Sequence, residues 1–380
     1  MEVDSIPLRR IYIGPAELKD YFSEMCPIFK NAEIQEKDLS EHMKMYLRDI
    51  KTTYKPSKKL IGSLKGEKIL LYTPLLKWYL QKGLIVNKVY QAIQFTPKRC
   101  FYELTKEISD ARRAGDVDKS KEIIGDTCKL IGNSLYGKTI ENRENHSKVV
   151  YCEEDKVEKY INKCNFKSLD CIGKTQYEVV LNKTTIDMNL PIQIGCAVYQ
   201  LAKLRMLEFY YDFIDYYVER KDFEMLEMDT DSAYLALSGE LSDIIKPHLK
   251  EDFLENEWKW FGRNDSPANK LIDRRTPGLF KQEFKGSQMI CLTSKAYYIL
   301  GENGDKNKFS CKGVNKSNNQ IDINVYKNVL DSKKSSIAVD RGFGMFNNRI
   351  MSYLQANTGL SYFYDKRKVC DDGISLRTLT

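Results

Sequence analysis

Two stretches of this sequence carry residue types whose spacing could do chemistry, and the first is Asp229–Thr230–Asp231–Ser232. It lies between two short runs, Met225–Met228 and Ala233–Leu237, that predict strands joined at a tight turn. Residues i and i+2 of a strand share a face, with Cα atoms roughly 7 Å apart. Two carboxylates at that spacing can grip two Mg²⁺ ions for in-line phosphoryl displacement. An ordinary Asp/Ser-rich hairpin turn is the alternative, because these residues favour turns.

The second stretch runs from Lys129 to Lys138, with the sequence KLIGNSLYGK. On a helix, Lys129, Asn133 and Tyr136 fall at i, i+4 and i+7 and share one face. A neighbouring apolar stripe predicts how this helix packs, and it comprises Ile124, Cys128, Ile131 and Leu135. Lysine suits a triphosphate, tyrosine can pack against a base or sugar, and Gly137 leaves room for a nucleic-acid chain. A helix end with a glycine cap and a solvated lysine is the alternative.

The elements that must position these residues follow from the patterns along the chain. A helical pattern that begins at Lys68 stops at Gly83, and the stretch Leu84–Tyr90 predicts a strand. Residues 100–140 predict two helices joined by the polar turn Gly115–Asp116–Val117–Asp118. The second of these helices carries Lys129, Asn133 and Tyr136.

The middle of the chain predicts an insertion followed by a long helix. Residues 141–190 are less regular and carry alternating runs, which indicate inserted strands and loops. A long helix starts near Pro191, which suits a first-turn position. Its apolar residues recur at helical spacing: Ile194, Val198, Leu201, Leu204, Tyr211, Ile214 and Val218. This helix leads directly to the strands around Asp229.

Composition narrows the class of protein. Among the 380 residues, 42% are hydrophobic and 11% aromatic, which excludes a wholly disordered chain. The longest apolar stretch, Ile69–Leu80, holds a proline and a lysine and is too short to span a bilayer. The first four residues do not begin a secretory signal. We therefore expect a soluble, globular, intracellular protein that is not secreted and has no membrane partner.

Charge and cysteine usage restrict the partners. A net charge of +7 permits nucleic acid as a partner but is also common in ordinary soluble proteins. The ten cysteines form no CxxC motif, and the chain has only three histidines. This pattern favours reduced cysteines in the core over a structural zinc site or a disulfide framework.

Taken together, the two stretches resemble family B DNA polymerases. The pattern K-x3-N-S-x-Y-G at Lys129–Lys138 is similar to that family's motif B, and D-T-D-S at Asp229–Ser232 is similar to its motif C. A third match, Ser294–Lys295–Ala296–Tyr297, looks like the K-x-Y motif that contacts the primer terminus. The resemblance extends from about residue 60 to 315. It is closest to the protein-primed branch of viruses and Polinton/Maverick transposons, in which insertions flank motif B.

The resemblance implies an α+β fold of the right-hand polymerase type, truncated at its N-terminus. Residues 1–85 would form part of the palm and a connecting segment, and 86–140 the helical fingers. Residues 141–190 would be an insertion, 191–300 the palm with motif C, and 301–380 a thumb-like region. The nucleus or a viral replication site would be the compartment.

The implied activity is DNA-directed DNA synthesis with two Mg²⁺ ions, for which Mn²⁺ can substitute. Asp229 and Asp231 would bind the metals and carry catalysis. The residues implied to bind the nucleotide are Lys129, Asn133, Tyr136, Arg112 and Arg113, although a solvated helix face is an equal alternative for the two arginines. The residues implied to contact DNA are Gly137, Lys138, Lys295 and Tyr297. The partners would be a DNA primer-template, dNTPs and a protein primer.

The sequence departs from the family at three places. Motif A, D-x-x-S-L-Y-P, which supplies a further metal-binding aspartate, is not found, and neither is the exonuclease. We therefore expect the chain to begin just beyond motif A and to have weak or no catalysis by itself, unless Asp4 or Glu283 substitutes. Glu227 replaces a usual tyrosine, and the sequence leaves open whether it lies near the metals.

Two other functions remain open at this point. A non-catalytic DNA-binding remnant of a polymerase would bind DNA in a salt-dependent way, regardless of Asp229. A two-metal nuclease would use the same aspartates to shorten DNA, although no exonuclease motif supports it.

Overall fold

The fold is that of a computed structural model, which describes residues 2–4, 25–63, 65–82, 85–96, 98–302, 304–346, 349–370 and 376–377. Within these residues, α-helices combine with antiparallel β-sheets, which confirms the expected α+β class. None of the helices described in these ranges combines the length and the apolarity that a bilayer crossing requires.

Eleven α-helices are present in the described ranges. They are α1 (Glu41–Asp49), α2 (Thr73–Gln81), α3 (Tyr102–Val117), α4 (Glu122–Thr139), α5 (Glu154–Ile161), α6 (Ile192–Glu208), α7 (Asp215–Tyr217), α8 (Lys250–Asn256), α9 (Trp258–Phe261), α10 (Pro267–Asp273) and α11 (Ile323–Ser332). A π-helical turn, Phe209–Ile214, joins α6 to α7. Side-chain oxygens of Ser40, Ser266 and Asp322 cap the N-termini of α1, α10 and α11.

The strands form small antiparallel sheets. They are β1 (Glu2–Asp4), β2 (Ile28–Ile34), β3 (Ser57–Ser63), β4 (Lys65–Gly66), β5 (Ile85–Lys88), β6 (Ser147–Glu153), β7 (Phe166–Cys171), β8 (Gln176–Asn182), β9 (Phe223–Asp229), β10 (Ser232–Leu237), β11 (Gly286–Thr293), β12 (Ala296–Gly301), β13 (Lys308–Cys311), β14 (Ile337–Phe346), β15 (Arg349–Thr358), β16 (Lys368–Val369) and β17 (Leu376–Arg377). The three-stranded sheets have the orders β4-β1-β5, β6-β8-β7 and β11-β12-β13, and β2-β3, β9-β10, β14-β15 and β16-β17 are pairs.

An aromatic core supports strand β9. The π-helical turn and α7 bury Phe209, Tyr210, Phe213 and Tyr217, and the rings of Phe209 and Phe213 stack with centroids 5.3 Å apart. Phe223, the first residue of β9, is buried in the same cluster, which also includes residues of α2. Burial of such large rings contributes strongly to stability. Strand β9 is therefore anchored at its beginning.

The long helix expected from Pro191 begins at Ile192, as predicted, but its buried face differs from the prediction. Val198 and Leu201 are exposed, whereas Met206 and Leu207 are buried. All four residues precede the π-helical turn, so the difference belongs to the packing of α6 itself.

A second core combines segments that are far apart in the sequence. It unites buried side chains of α1, β11–β13, α11 and the C-terminal residues 360–369, with Tyr326 of α11 fully buried at its centre. The domain boundary expected near residue 301 falls between β12 and β13, which are adjacent strands of one sheet in this core. The β11–β12 hairpin is thus held by the C-terminal part of the chain.

The helices expected in residues 100–140 are α3 and α4. The turn between them is centred on the 3₁₀ segment Lys119–Lys121 rather than on Gly115. The predicted apolar stripe does not pack as expected, since Ile124 and Ile131 are 56% and 46% exposed. The helices approach instead at small residues, with Gly125 against Gly115 and Gly132 against Ile108. Glycine on the facing side allows this close approach.

The expected inserted strands are present. Residues 141–190 contain the three-stranded sheet β6-β8-β7 and, between β6 and β7, helix α5. Val179 and Leu181 of the central strand β8 are buried, whereas Val149 and Tyr151 of β6 are exposed. The insertion therefore has a small packed face of its own.

We expect Gly195→Ala to destabilise the protein where α4 meets α6. A Cβ atom at Gly195 would overlap Ile140 and Thr139, so the helices would have to separate. Overpacking of this kind costs about 1–3 kcal/mol. The free energy of unfolding in urea measures the effect. The control is Gly137→Ala on α4, where nothing lies within 4 Å of the added atom. An equal loss in both variants would contradict the packing argument.

We expect stability to rise with pH because of Lys203 on α6. Burial lowers the pKa of Lys203 from 10.5 to about 8, and its ammonium lies 4.9 Å from the Phe29 ring centroid. Between these two values the unfolded chain binds more protons, so the free energy of unfolding increases with pH, by up to about 3 kcal/mol. Lys203→Met should remove this increase, and Lys77→Met at an exposed site should not. Identical pH profiles for wild type and Lys203→Met would contradict the expectation.

Candidate active site

The predicted hairpin around the two aspartates is present. Strand β9 ends at Asp229, β10 begins at Ser232, and these two residues are paired in the ladder. Asp231 lies in the turn rather than on a strand, so strand alternation does not place it relative to Asp229 as the sequence argument assumed. Asp231 is exposed, and the Asp229 side chain is 28% exposed. Both carboxylates are therefore accessible at the tip of the hairpin.

The turn itself is tight. The Asp231 backbone N–H donates a hydrogen bond to the Asp229 carbonyl oxygen at 2.6 Å, which closes a three-residue turn. Thr230, at its centre, has φ 54°, a left-handed conformation that β-branched residues rarely adopt. Such a residue costs about 1–3 kcal/mol and persists only where the surrounding structure holds it. Strain is thus stored directly between the two carboxylates.

A second hairpin tip lies against the first. Strands β11 and β12 are joined by Ser294 and Lys295, and Lys295 is also left-handed, with φ 66°. Its backbone N–H donates to Glu227 Oε1 at 2.6 Å, and its carbonyl oxygen accepts from Ser310 Oγ at 2.8 Å. Both backbone groups of Lys295 are therefore held, and the side chain projects from a fixed point.

The Lys295 side chain reaches the aspartate turn. Its Nζ lies 3.1 Å from Asp229 Oδ1, and the Lys295 side chain is 42% exposed. The contact joins a residue of the K-x-Y pattern to a residue of the D-T-D-S pattern, which are widely separated in the sequence. The ammonium therefore partly neutralises the Asp229 carboxylate.

A tyrosine pair strengthens the junction between the hairpins. The Tyr234 hydroxyl of β10 donates to the Tyr297 hydroxyl of β12 at 3.0 Å, and the ring centroids are 4.8 Å apart. Burial, followed by this hydrogen bond, raises the pKa of Tyr234. Tyr297 is only 8% exposed, so in this structure it contacts protein on most of its surface.

Glu227 is the buried carboxylate of the site. It lies two residues before Asp229 on β9 and is 7% exposed. Besides the Lys295 amide, it accepts a weak hydrogen bond from the Cys291 thiol, at 3.5 Å from Sγ to Oε2. Burial raises the pKa of Glu227, and the Lys295 amide opposes that shift. Burial and the neighbouring carboxylate also raise the pKa of the Cys291 thiol.

The residues of the second chemical stretch lie on α4. Lys129 and Asn133 are exposed, and the Tyr136 ring packs edge-on against Tyr199 of α6 at 5.7 Å. In the described part of the chain, no hydrogen bond or ion pair joins α4 to Asp229 or Asp231. The structure thus links this helix to the aspartate hairpin through α6, which leads to β9.

The end of α4 has open space and positive charge. Nothing lies within 4 Å of a Cβ atom placed on Gly137, so the space beside it is open. Lys138 is exposed and forms an ion pair with Glu141 at 2.7 Å. A polar cavity of about 260 Å³ beside it is lined by the cations Arg143 and Lys183 and by the carboxylates Glu141 and Asp187.

The two arginines of α3 differ from each other. Arg113 donates to the carbonyl oxygens of Ile272 and Arg274 and pairs with Asp110, so its guanidinium holds the segment after α10. This environment favours a structural role over phosphate binding. Arg112, on the same helix, is half-buried.

The carboxylates present fit a magnesium–nucleotide complex in part. Mg²⁺ in nucleotide sites is bound by one or two carboxylates together with substrate phosphates and water, which Asp229 and Asp231 could provide. In the described ranges, no group of three or more His, Cys, Asp or Glu side chains could hold a metal. Of the expected substitutes, Glu283 pairs with Lys281 and Lys308, and the side chain of Asp4 lies outside the description.

Comparisons with protein-family models, with curated proteins and with solved structures find no match for this chain. The family resemblance therefore rests on the motifs.

Sequence reasoning left the place of Glu227 open and missed Tyr234 as a part of the site. A signal for Glu227 was available, because residues i and i+2 of a strand share a face and Glu227 precedes Asp229 by two. For Tyr234, only the fold reveals the partner, since Tyr297 is 63 residues away.

We expect Lys295→Met to strengthen Mn²⁺ binding to the isolated protein. The substitution removes the ammonium beside Asp229 and frees the carboxylate for a cation. Partly exposed ion pairs contribute up to about 1 kcal/mol, which corresponds to roughly two- to fivefold in affinity. Electron paramagnetic resonance of free Mn²⁺ measures the binding. Lys281→Met, which removes a cation paired with Glu283, is the control. Unchanged or weaker binding by Lys295→Met would contradict the expectation.

Proposed function

We propose that this chain is part of a family B DNA polymerase of the protein-primed type, a DNA-directed DNA polymerase that uses Mg²⁺. The observation that carries the proposal is the contact between two separate motifs. Lys295, in the pattern that the family uses for the primer, has its Nζ 3.1 Å from Asp229, in the pattern used for the metals. Chance matches in unrelated parts of a chain would have no reason to meet in space.

The reaction is the transfer of a nucleotidyl group to the primer. The 3′ hydroxyl gives its proton to water, its oxygen forms a bond to the α-phosphorus of a dNTP, the bond from that phosphorus to the bridging oxygen breaks, and pyrophosphate leaves. Asp229 and Asp231 would hold Mg²⁺, which supplies charge neutralisation and lowers the pKa of the attacking hydroxyl. The tight turn at Thr230 keeps both carboxylates at the tip of one hairpin, and the Lys295 ammonium would have to leave Asp229 before a cation binds there.

Lys295 and the residues of α4 would bind the substrates. Lys295 would leave Asp229 when a cation binds and pair with a phosphate of the primer strand, while Tyr297 supports its hairpin from inside. Lys129 would pair with the dNTP triphosphate as a point charge. Asn133 and Tyr136 would shape the pocket for the new base pair, and Gly137 with Lys138 would lie along DNA.

In this proposal, the architecture is that of a right hand. The palm comprises the β9–β10 hairpin with α6, the fingers comprise α3 and α4, and the thumb-like part follows residue 301. The inserted sheet β6-β8-β7 follows the fingers, where the protein-primed branch carries insertions. The partners are a DNA primer-template, dNTPs and a protein primer, in the nucleus or at a viral replication site.

The second candidate is a DNA-binding remnant that has lost catalysis. The ion pair between Lys295 and Asp229 favours it, because the pair neutralises one of the two carboxylates that a metal needs. Lys138 and the neighbouring cations of the 260 Å³ cavity would still attract phosphates.

Because motif A is not found, we expect at most weak extension of a primer on a DNA template with Mn²⁺ or Mg²⁺, and we expect Asp229→Asn to reduce that extension strongly. Loss of a metal ligand removes several kcal/mol of transition-state stabilisation, so the rate should fall roughly a hundredfold or more. Gel analysis of a labelled primer with all four dNTPs measures the rate. The matched control is Asp243→Asn, at an exposed position after β10.

Other outcomes separate the candidates. Salt-dependent DNA binding without extension, equal in wild type and Asp229→Asn, would overturn the enzyme proposal for this chain and establish the DNA-binding remnant. Shortening of the primer that requires Asp229 would identify a nuclease instead.

A further inference from the structure

A buried carboxylate links the two hairpins of the site. Glu227 points from β9 to the β11–β12 hairpin, where its two oxygens accept from the Lys295 amide and the Cys291 thiol. Both donors belong to the other hairpin, and neither belongs to β9 or β10. The carboxylate is therefore satisfied only while the hairpins stay together.

The Lys295 turn depends on this link more than an ordinary turn would. Its residue is held in a left-handed conformation, which costs free energy for a residue with a Cβ atom. The amide of Lys295 bonds to Glu227, and its carbonyl oxygen bonds to the Ser310 hydroxyl and the Lys312 amide. Without Glu227, only the carbonyl side of this residue would remain fixed.

We propose that Glu227 is a positioning residue that holds the Lys295 turn in place, so that the Lys295 ammonium faces Asp229. Glu227 acts through Lys295 and has no contact with substrate in this role. The proposal deepens the polymerase proposal, on which its functional meaning rests: the primer-holding lysine keeps its alignment with the metal-binding aspartates because one carboxylate ties the hairpins together. The hydrogen bonds of Glu227 to the second hairpin can be tested without any enzymatic assay.

A simpler account is that Glu227 is a buried polar group that happens to find partners and that any similar side chain would serve. The two accounts differ in one consequence. If Glu227 only fills space, its loss should affect the whole sheet. If it positions Lys295, its loss should act first on the Lys295 amide and on the cation beside Asp229.

The first experiment compares Glu227→Ala with Glu227→Gln by amide hydrogen exchange on the intact chain. Glutamine keeps an acceptor for the Lys295 amide, and alanine does not. We expect the Lys295 amide to exchange roughly three- to tenfold faster in the alanine variant and close to the wild-type rate in the glutamine variant. Amides of the distant β6–β8 ladder report whether each variant folds. Met225→Ala, on the same strand, is the control for general loosening of β9.

The second experiment is a double-mutant cycle that uses Mn²⁺ binding as its readout. Alanine and glutamine are both uncharged at position 227. A difference in Mn²⁺ affinity between the two variants therefore reports the hydrogen bond from the Lys295 amide to residue 227. Glu227→Ala should bind Mn²⁺ roughly two- to fivefold more tightly than Glu227→Gln, because the released lysine no longer competes at Asp229. In the Lys295→Met background, the two variants should bind Mn²⁺ equally.

The outcomes distinguish this proposal from the polymerase proposal. Equal amide exchange in the alanine and glutamine variants, or a difference in Mn²⁺ affinity that persists without Lys295, would overturn the positioning role even if the protein extends primers. Faster exchange in the alanine variant alone, with a difference in Mn²⁺ affinity that disappears in Lys295→Met, would establish the role even if no variant extends a primer.

Discussion

The site depends on the need of one buried carboxylate for hydrogen-bond donors. An ionised group removed from water is costly unless it is paired, and Glu227 finds its partners across a gap between two hairpins. Separation of the hairpins would break both hydrogen bonds to Glu227 and admit water to the carboxylate. The contacts of Lys295 with Asp229 and of Tyr234 with Tyr297 join the same two hairpins. Glu227 therefore acts together with them at the junction.

The two hydrophobic cores place the two hairpins independently. Strand β9 starts in the aromatic core at Phe223, whereas β12 belongs to the core around Tyr326. The junction between the hairpins is therefore also a junction between cores. Polar contacts fix the position of one hairpin relative to the other, because directional hydrogen bonds specify geometry more narrowly than apolar packing does. At such a junction, hydrogen bonds can fix the geometry of the contacting side chains, although each hairpin is stabilised by a different hydrophobic core.

Local patterns predicted the elements of this fold better than their contacts. The hairpin around Asp229 and the helices at residues 100–140 and from Pro191 were foreseen, because periodicity and turn residues are local signals. The exposure of Ile131 was not predicted, because α3 packs against the glycines of α4 and not against its apolar stripe. The pairing of Lys295 with Asp229 depends on the path of the chain between them, which no local pattern encodes. The motif resemblance suggested that both belong to one site, but it could not supply the buried role of Glu227.

The attachment of α3 to the rest of the protein consists mainly of charged contacts. Asp116 receives Arg274 at 3.1 Å and Arg275 at 2.6 Å, and Arg113 reaches the carbonyl oxygens of the same segment. Asp116 is largely buried, so salt screens these pairs only in part, and it leaves the aromatic packing below β9 almost unaffected. Ionic strength therefore acts unevenly: it weakens the exposed arginine side of the attachment of α3, while α4 keeps its packing on α6 and the aspartate hairpin keeps its own support.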